Sequence, residues 1–78
     1  MVKREEAEEI VEAFVRSKRN CKEMYVTSVD SLGYDSWRIK GEYSLTVEGN
    51  VRTLYFEIIV DAHGNISSYD LNKSFPFF

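Results

Sequence analysis

The sequence predicts an α+β fold: an N-terminal helix packed on one face of a four-stranded antiparallel meander, in cystatin-like order. Two observations carry this reading. The apolar period is that of a helix up to residue 19 and changes to two from residue 23 onward. In addition, the apolar positions of residues 37–72 fall on one common face when the segments are folded back on one another at the turns between them. At 78 residues the chain makes a single domain, residues 1–78. A domain this small buries only about 60% of its unfolded surface, so its core is thin and tolerates few unpaired polar groups.

The helix spans about residues 3–19. Ala7, Ile10, Val11, Phe14 and Val15 form one apolar stripe at i, i+3, i+4, i+7 spacing. Glu5, Glu6, Glu8 and Glu9 stand early and Arg16, Lys18 and Arg19 late, the order favoured by the helix dipole. Glu12 and Arg16 form an i,i+4 pair, and Asn20 suits a left-handed helix end.

Strands follow at about 23–29, 37–48, 51–61 and 66–72. Residues 30–36, Asp-Ser-Leu-Gly-Tyr-Asp-Ser, read as a loop. In the clearest strand Trp37, Ile39, Gly41, Tyr43, Leu45 and Val47 alternate with Arg38, Lys40, Glu42, Ser44, Thr46 and Glu48. A Gly-first type II′ turn at Gly49-Asn50 sets Leu45 opposite Leu54, Tyr43 opposite Phe56, Gly41 opposite Ile58 and Ile39 opposite Val60. A turn at residues 62–65 sets Ile58 beside Tyr69 and Phe56 beside Leu71. Gly41, mid-strand, marks a bend or a close approach of the helix. The first strand has two open registers: Met24 and Val26 face the core, or Tyr25, Thr27 and Val29 do.

Composition excludes several function classes. A net charge of −3 argues against a protein devoted to gripping nucleic acid. No apolar run approaches membrane-spanning length, and residues 1–9 lack the apolar centre of a signal peptide. The single cysteine, Cys21, leaves no internal disulfide framework. A cytoplasmic protein without a cofactor is the expectation. No catalytic constellation stands out. His63 falls in a turn without a positioned partner, and Cys21 among Lys18, Arg19 and Lys22 has no histidine within sequence reach. The basic group Arg16, Lys18, Arg19 and Lys22 is accounted for largely by the helix dipole.

The face away from the helix offers more. The same register lines up Glu42, Glu57 and Asp70 across adjacent strands. Such a row is a weak candidate for a hard cation, set against a plain solvated face in which Arg38 and Lys40 screen the repulsion. That face also carries Tyr55, Ile59 and in one reading Ile66, apolar groups that suit a partner surface. The ending Phe75-Pro76-Phe77-Phe78 places three large apolar side chains that either fold back on the core edge or dock on another chain.

Trp37 to Tyr43, then Tyr55-Phe56-Glu57-Ile58-Ile59-Val60-Asp61-Ala62-His63-Gly64-Asn65-Ile66 and Tyr69, resemble two known patterns. One is the PepSY-type module, in which a helix precedes a strand ending in Asp-x-x-Gly and a further strand. The other is gas vesicle protein O. The resemblance covers roughly residues 37–69 and implies a non-catalytic interaction or inhibitory module. The chain lacks the export signal of many PepSY proteins and the Arg-rich ending of the gas vesicle family. The leading expectation is thus a non-enzymatic module that binds a protein or itself, as a homodimer, through Tyr55, Ile59, Phe75, Phe77 and Phe78. The alternative is a small-molecule or ion-binding domain with a helix–sheet pocket near Trp37, Tyr43 and Tyr69.

Overall fold

A computed structural model describes residues 2–73. Helix α1 (Arg4–Lys18) is followed by strands β1 (Glu23–Gly33), β2 (Ser36–Val47), β3 (Asn50–Val60) and β4 (Ile66–Lys73), paired antiparallel in chain order as one open sheet. The expected helix-then-meander order is present.

The apolar stripe of α1 is the one the spacing predicts. Ala7, Val11 and Val15 are fully buried against the sheet, with Ile10 and Phe14 half-buried beside them. Glu12 and Arg16 meet at 3.5 Å on the solvent side, an exposed pair that contributes little. The helix does not end through a left-handed Asn20. Arg19 turns extended instead (φ −133°, ψ 128°) after donating the last helical hydrogen bond to Val15, at 2.8 Å.

The β2–β3 register differs from expectation. Val47 pairs with Asn50, so the turn residues are Glu48 and Gly49, both at positive φ (51° and 82°). This is the type I′ pattern, whose twist matches the flanking strands; Gly49 takes its second position without strain. Tyr43 therefore pairs with Leu54, Gly41 with Phe56 and Ile39 with Ile58. Pairing has slipped by two residues, and because side chains alternate with period two, every face assignment survives. The observed register seats the Phe56 ring against Gly41. A β-carbon there would collide with the Tyr25 carbonyl and meet the Phe56 ring at 2.5 Å. The glycine makes room for its cross-strand aromatic neighbour, not for the helix.

Residues 30–36 are not a loop. β1 continues to Gly33, and Tyr34-Asp35 make a tight turn with both residues at positive φ (51° and 59°). A bulge between Val26 and Ser28 merges the two registers left open for β1. Met24, Val26 and Val29 all turn to the core, while Tyr25 faces out. In β3–β4, Ile58 pairs with Tyr69 and Glu57 with Asp70, as the pattern predicts. A second bulge near the turn carries Ile66 to the core side, opposite Val60, and off the outer face.

The core is Ala7, Val11, Val15, Ile39, Tyr43, Phe56, Ile58 and Val60, all fully buried, with Val2, Cys21 and Leu71 at its edges. At about 22 Å, α1 is much shorter than strands of 11 or 12 residues. The β2–β3 hairpin tip therefore runs past it, leaving Val47 46% and Val51 71% exposed.

Candidate interaction face

Alternation along β2 and β3 divides their side chains between two environments. With α1 on one side, the other side of the sheet has no covering layer among the described residues. It presents successive rows read directly from the pairing: Asp30–Arg38–Ile59–Ser68, then Ser28–Lys40–Glu57–Asp70, then Tyr25–Glu42–Tyr55. Tyr55 and Ile59, both expected on this face, are there and half-buried by their neighbours. Tyr25, 55% exposed, joins them. It escaped the sequence reading because the bulge that fixes the β1 register has no strong local signature.

The proposed carboxylate row is not formed as expected. Glu57 and Asp70 are cross-strand neighbours, but Glu42 lies between Tyr25 and Tyr55, and Lys40 stands opposite Glu57. Arg38 Nε approaches Glu57 Oε2 to 3.2 Å from the diagonal position; that nitrogen is covered and makes no hydrogen bond, so the link is electrostatic. Glu57 is thus flanked by two cations, which offsets the repulsion from Asp70. Among the described residues no group of three or more His, Cys, Asp or Glu side chains is placed to share a metal ion.

Tyr25 donates a hydrogen bond from its hydroxyl to Glu23 Oε2 at 3.2 Å. The negative charge of Glu23, followed by that hydrogen bond, raises the phenol pKa; slight desolvation and the charge of Glu42 add to it. A shallow depression of about 180 Å³ beside this row is lined by Lys22, Glu23, Ser44, Thr46 and Val51.

The other candidates have structural occupations. Tyr43 is fully buried and its hydroxyl donates to the Leu71 carbonyl. The Trp37 indole N–H donates to the Val2 carbonyl at 3.0 Å, tying the chain before α1 to the sheet. Tyr69 packs edge-on against Phe14, with ring centroids 4.9 Å apart. The residues expected to line a helix–sheet pocket are thereby engaged in packing. Cys21 is a buried free thiol. In the basic group, Lys18 sits 5.6 Å over the Phe14 ring, Arg19 donates to the Lys18 carbonyl and Arg16 meets Glu12. His63 is exposed at a turn tip. Phe75, Phe77 and Phe78 lie outside the described residues.

The Asp-x-x-Gly segment is turn chemistry. Asp61 Oδ1 accepts the backbone N–H of His63 and of Asn65, each at 2.9 Å, and the Asp61 carbonyl accepts Gly64 N–H at 3.0 Å. Gly64, at φ 82°, sits against Ile10 and Val2, so the turn is docked beside the start of the helix. The Asn65 N–H, opposed by slight desolvation and helped by the His63 N–H and the nearby His63 charge, holds the Asp61 carboxyl below its ordinary value.

No protein-family model matches the chain, and neither does any curated protein or solved structure. No helix among the described residues is long and apolar enough to cross a membrane.

Proposed function

We propose that the protein is a non-enzymatic association module that works through the open face of its sheet, binding a second copy of itself or another protein. The observation that supports this is the composition of that face: Tyr25, Tyr55 and Ile59 stand among Arg38, Lys40, Glu42 and Glu57 on a four-stranded sheet. Large side chains with few rotatable bonds, set among charges of both signs, supply contact area and orientation at low entropic cost. The side chains that chemistry would need first are spent elsewhere, Cys21 in the core and His63 at an exposed turn.

The test is sedimentation equilibrium of the intact chain from micromolar to millimolar concentration, beside Tyr55→Ser and Ile59→Ser. The expected result is a mass that rises with concentration in the unaltered chain and falls toward the monomer in both variants. Amide signals of β2 and β3 broaden in parallel. A monomer at every concentration, with unchanged amide spectra, overturns self-association. Association that both variants retain moves it off this face.

A further inference from the structure

The reading above leaves open which partner the face fits and in which orientation. Its charges are sorted by strand around the Lys40–Glu57 row, with Asp30 on β1 beside Arg38 and Glu42 on β2 in the row beyond. On the open side β2 contributes two cations, Arg38 and Lys40, in adjacent rows. In those same rows β3 and β4 contribute Glu57 and Asp70, together with Ile59 and Ser68. The central row, divided in this way between the Lys40 cation of β2 and the Glu57 and Asp70 acids of β3 and β4, is complementary to itself under a two-fold rotation about an axis parallel to the strands and between β2 and β3. Building on that reading, we propose that the open face is an isologous homodimer interface of this kind, with β2 of one copy lying over β3 of the other.

The arrangement follows row by row. The two-fold leaves each row at its level and exchanges the strands, so Lys40 faces the partner's Glu57 and Arg38 faces the partner's Ile59. Glu42 faces the partner's Tyr55. Lys40 and Glu57 are already cross-strand neighbours within one copy, so the dimer centre becomes a square of four alternating charges. Charges taken out of water at an interface need such partners. Around this square Ile59 covers the stem of the partner's arginine, and the ring of Tyr55 covers the partner's Glu42 methylenes. A two-fold across the strands through this row instead sets each strand over its own copy, with Lys40 facing Lys40 and Glu57 facing Glu57.

Sheets stacked face to face keep their strands within about 30° of each other, so the pairing holds best at the central rows, where Lys40 and Glu57 lie. Four strands about 4.8 Å apart and some eight residues of each, at about 3.3 Å per residue, give a footprint of about 500 Å² per copy. That is the low end of specific interfaces, so the dimer is weak and concentration-dependent.

The test is charge exchange between copies. Lys40→Glu and Glu57→Lys are each expected to weaken self-association about tenfold or more, because each sets like charges face to face across the axis. An equimolar mixture of the two variants restores both pairs and returns association to near that of the unaltered chain. A mixture that stays monomeric while the unaltered chain associates overturns the two-fold but leaves association through the face standing. An unaltered chain that never associates overturns both. If a variant does not fold, as judged by its far-ultraviolet circular dichroism, the unaltered chain decides. In a mixture of isotope-labelled and unlabelled chains, cross-peaks between Ile59 methyls and the Arg38 side chain of the other copy are expected, and their absence in an associated sample overturns the arrangement.

Discussion

The two faces of this sheet are made by the same strands in the same register, yet they are built by different rules. On the helix side Ile39, Tyr43, Phe56, Ile58 and Val60 have no exposed surface, and even the Tyr43 hydroxyl is bonded inside. On the other side Arg38, Lys40, Glu42, Tyr55, Glu57 and Ile59 are all half-buried, sheltered only by one another. The inner face is constrained atom by atom, since removal or addition of a carbon is felt throughout a close-packed layer. The outer face is constrained only by strand geometry and cross-strand pairing, so its composition is free to answer to something outside the molecule.

Substitution should separate the faces by size of effect. Phe56→Ala is expected to cost about 3–5 kcal/mol, by opening a cavity at the centre of the core. Domains hold about 0.05–0.15 kcal/mol per residue, or about 4–12 kcal/mol for 78 residues, so that variant should lose a large share of its stability and unfold at a markedly lower denaturant concentration. Gly41→Ala ranks next. Its added carbon meets a backbone carbonyl and a packed ring, and overpacking of this kind costs about 1–3 kcal/mol. A melting temperature unchanged in Gly41→Ala would show that the register around Phe56 is not as described.

The turn at the end of the sheet should show itself through pH. Folding lowers the Asp61 pKa, so its contribution is present above the ordinary carboxylate range and is lost as pH falls through the depressed value. Asp61→Ala should lose stability at neutral pH. Asp61→Asn, which keeps an acceptor for the His63 and Asn65 amides, should keep most of it and flatten the acid limb of the stability profile.

Outer-face changes come last in stability. Tyr55→Ser and Ile59→Ser should each change unfolding free energy by no more than about 1 kcal/mol while removing association. A larger loss would mean the open face is part of the fold after all. The smallest effect is spectroscopic. Tyr25 should titrate above an ordinary phenol in ultraviolet difference spectra, and Glu23→Gln should bring it back down, since the Glu23 charge is the largest cause of the shift.

The faces were legible in the sequence and the rows were not, for one physical reason. Alternation fixes which side a residue takes, and a shift of the pairing by two residues leaves that unchanged. Leu45 and Leu54 were rightly placed toward the core, although they are not opposite each other. Rows depend on the turn, and Glu48-Gly49 and Gly49-Asn50 both suit a two-residue turn; the structure takes the first, which sets Phe56 over Gly41. Glu42 was consequently assigned to a carboxylate row that does not exist. Bulges hid the rest: one turned Val26 and Val29 inward together and Tyr25 outward, and another drew Ile66 into the core. The helix, whose stripe depends on local spacing alone, was read almost to the residue.

The connectivity carries one more consequence, for the order in which the molecule assembles. Each strand pairs with the one before it in the chain, through turns of two residues at Tyr34-Asp35 and Glu48-Gly49 and a slightly longer one after Asp61. Sheets of this kind close only short loops and fold quickly for their class. During synthesis the sheet can zip one hairpin at a time as residues emerge, while α1, made first, waits for its seat. That seat is complete only when the Asp61 turn and Leu71 arrive, so the first element to be made is the last to be locked in place.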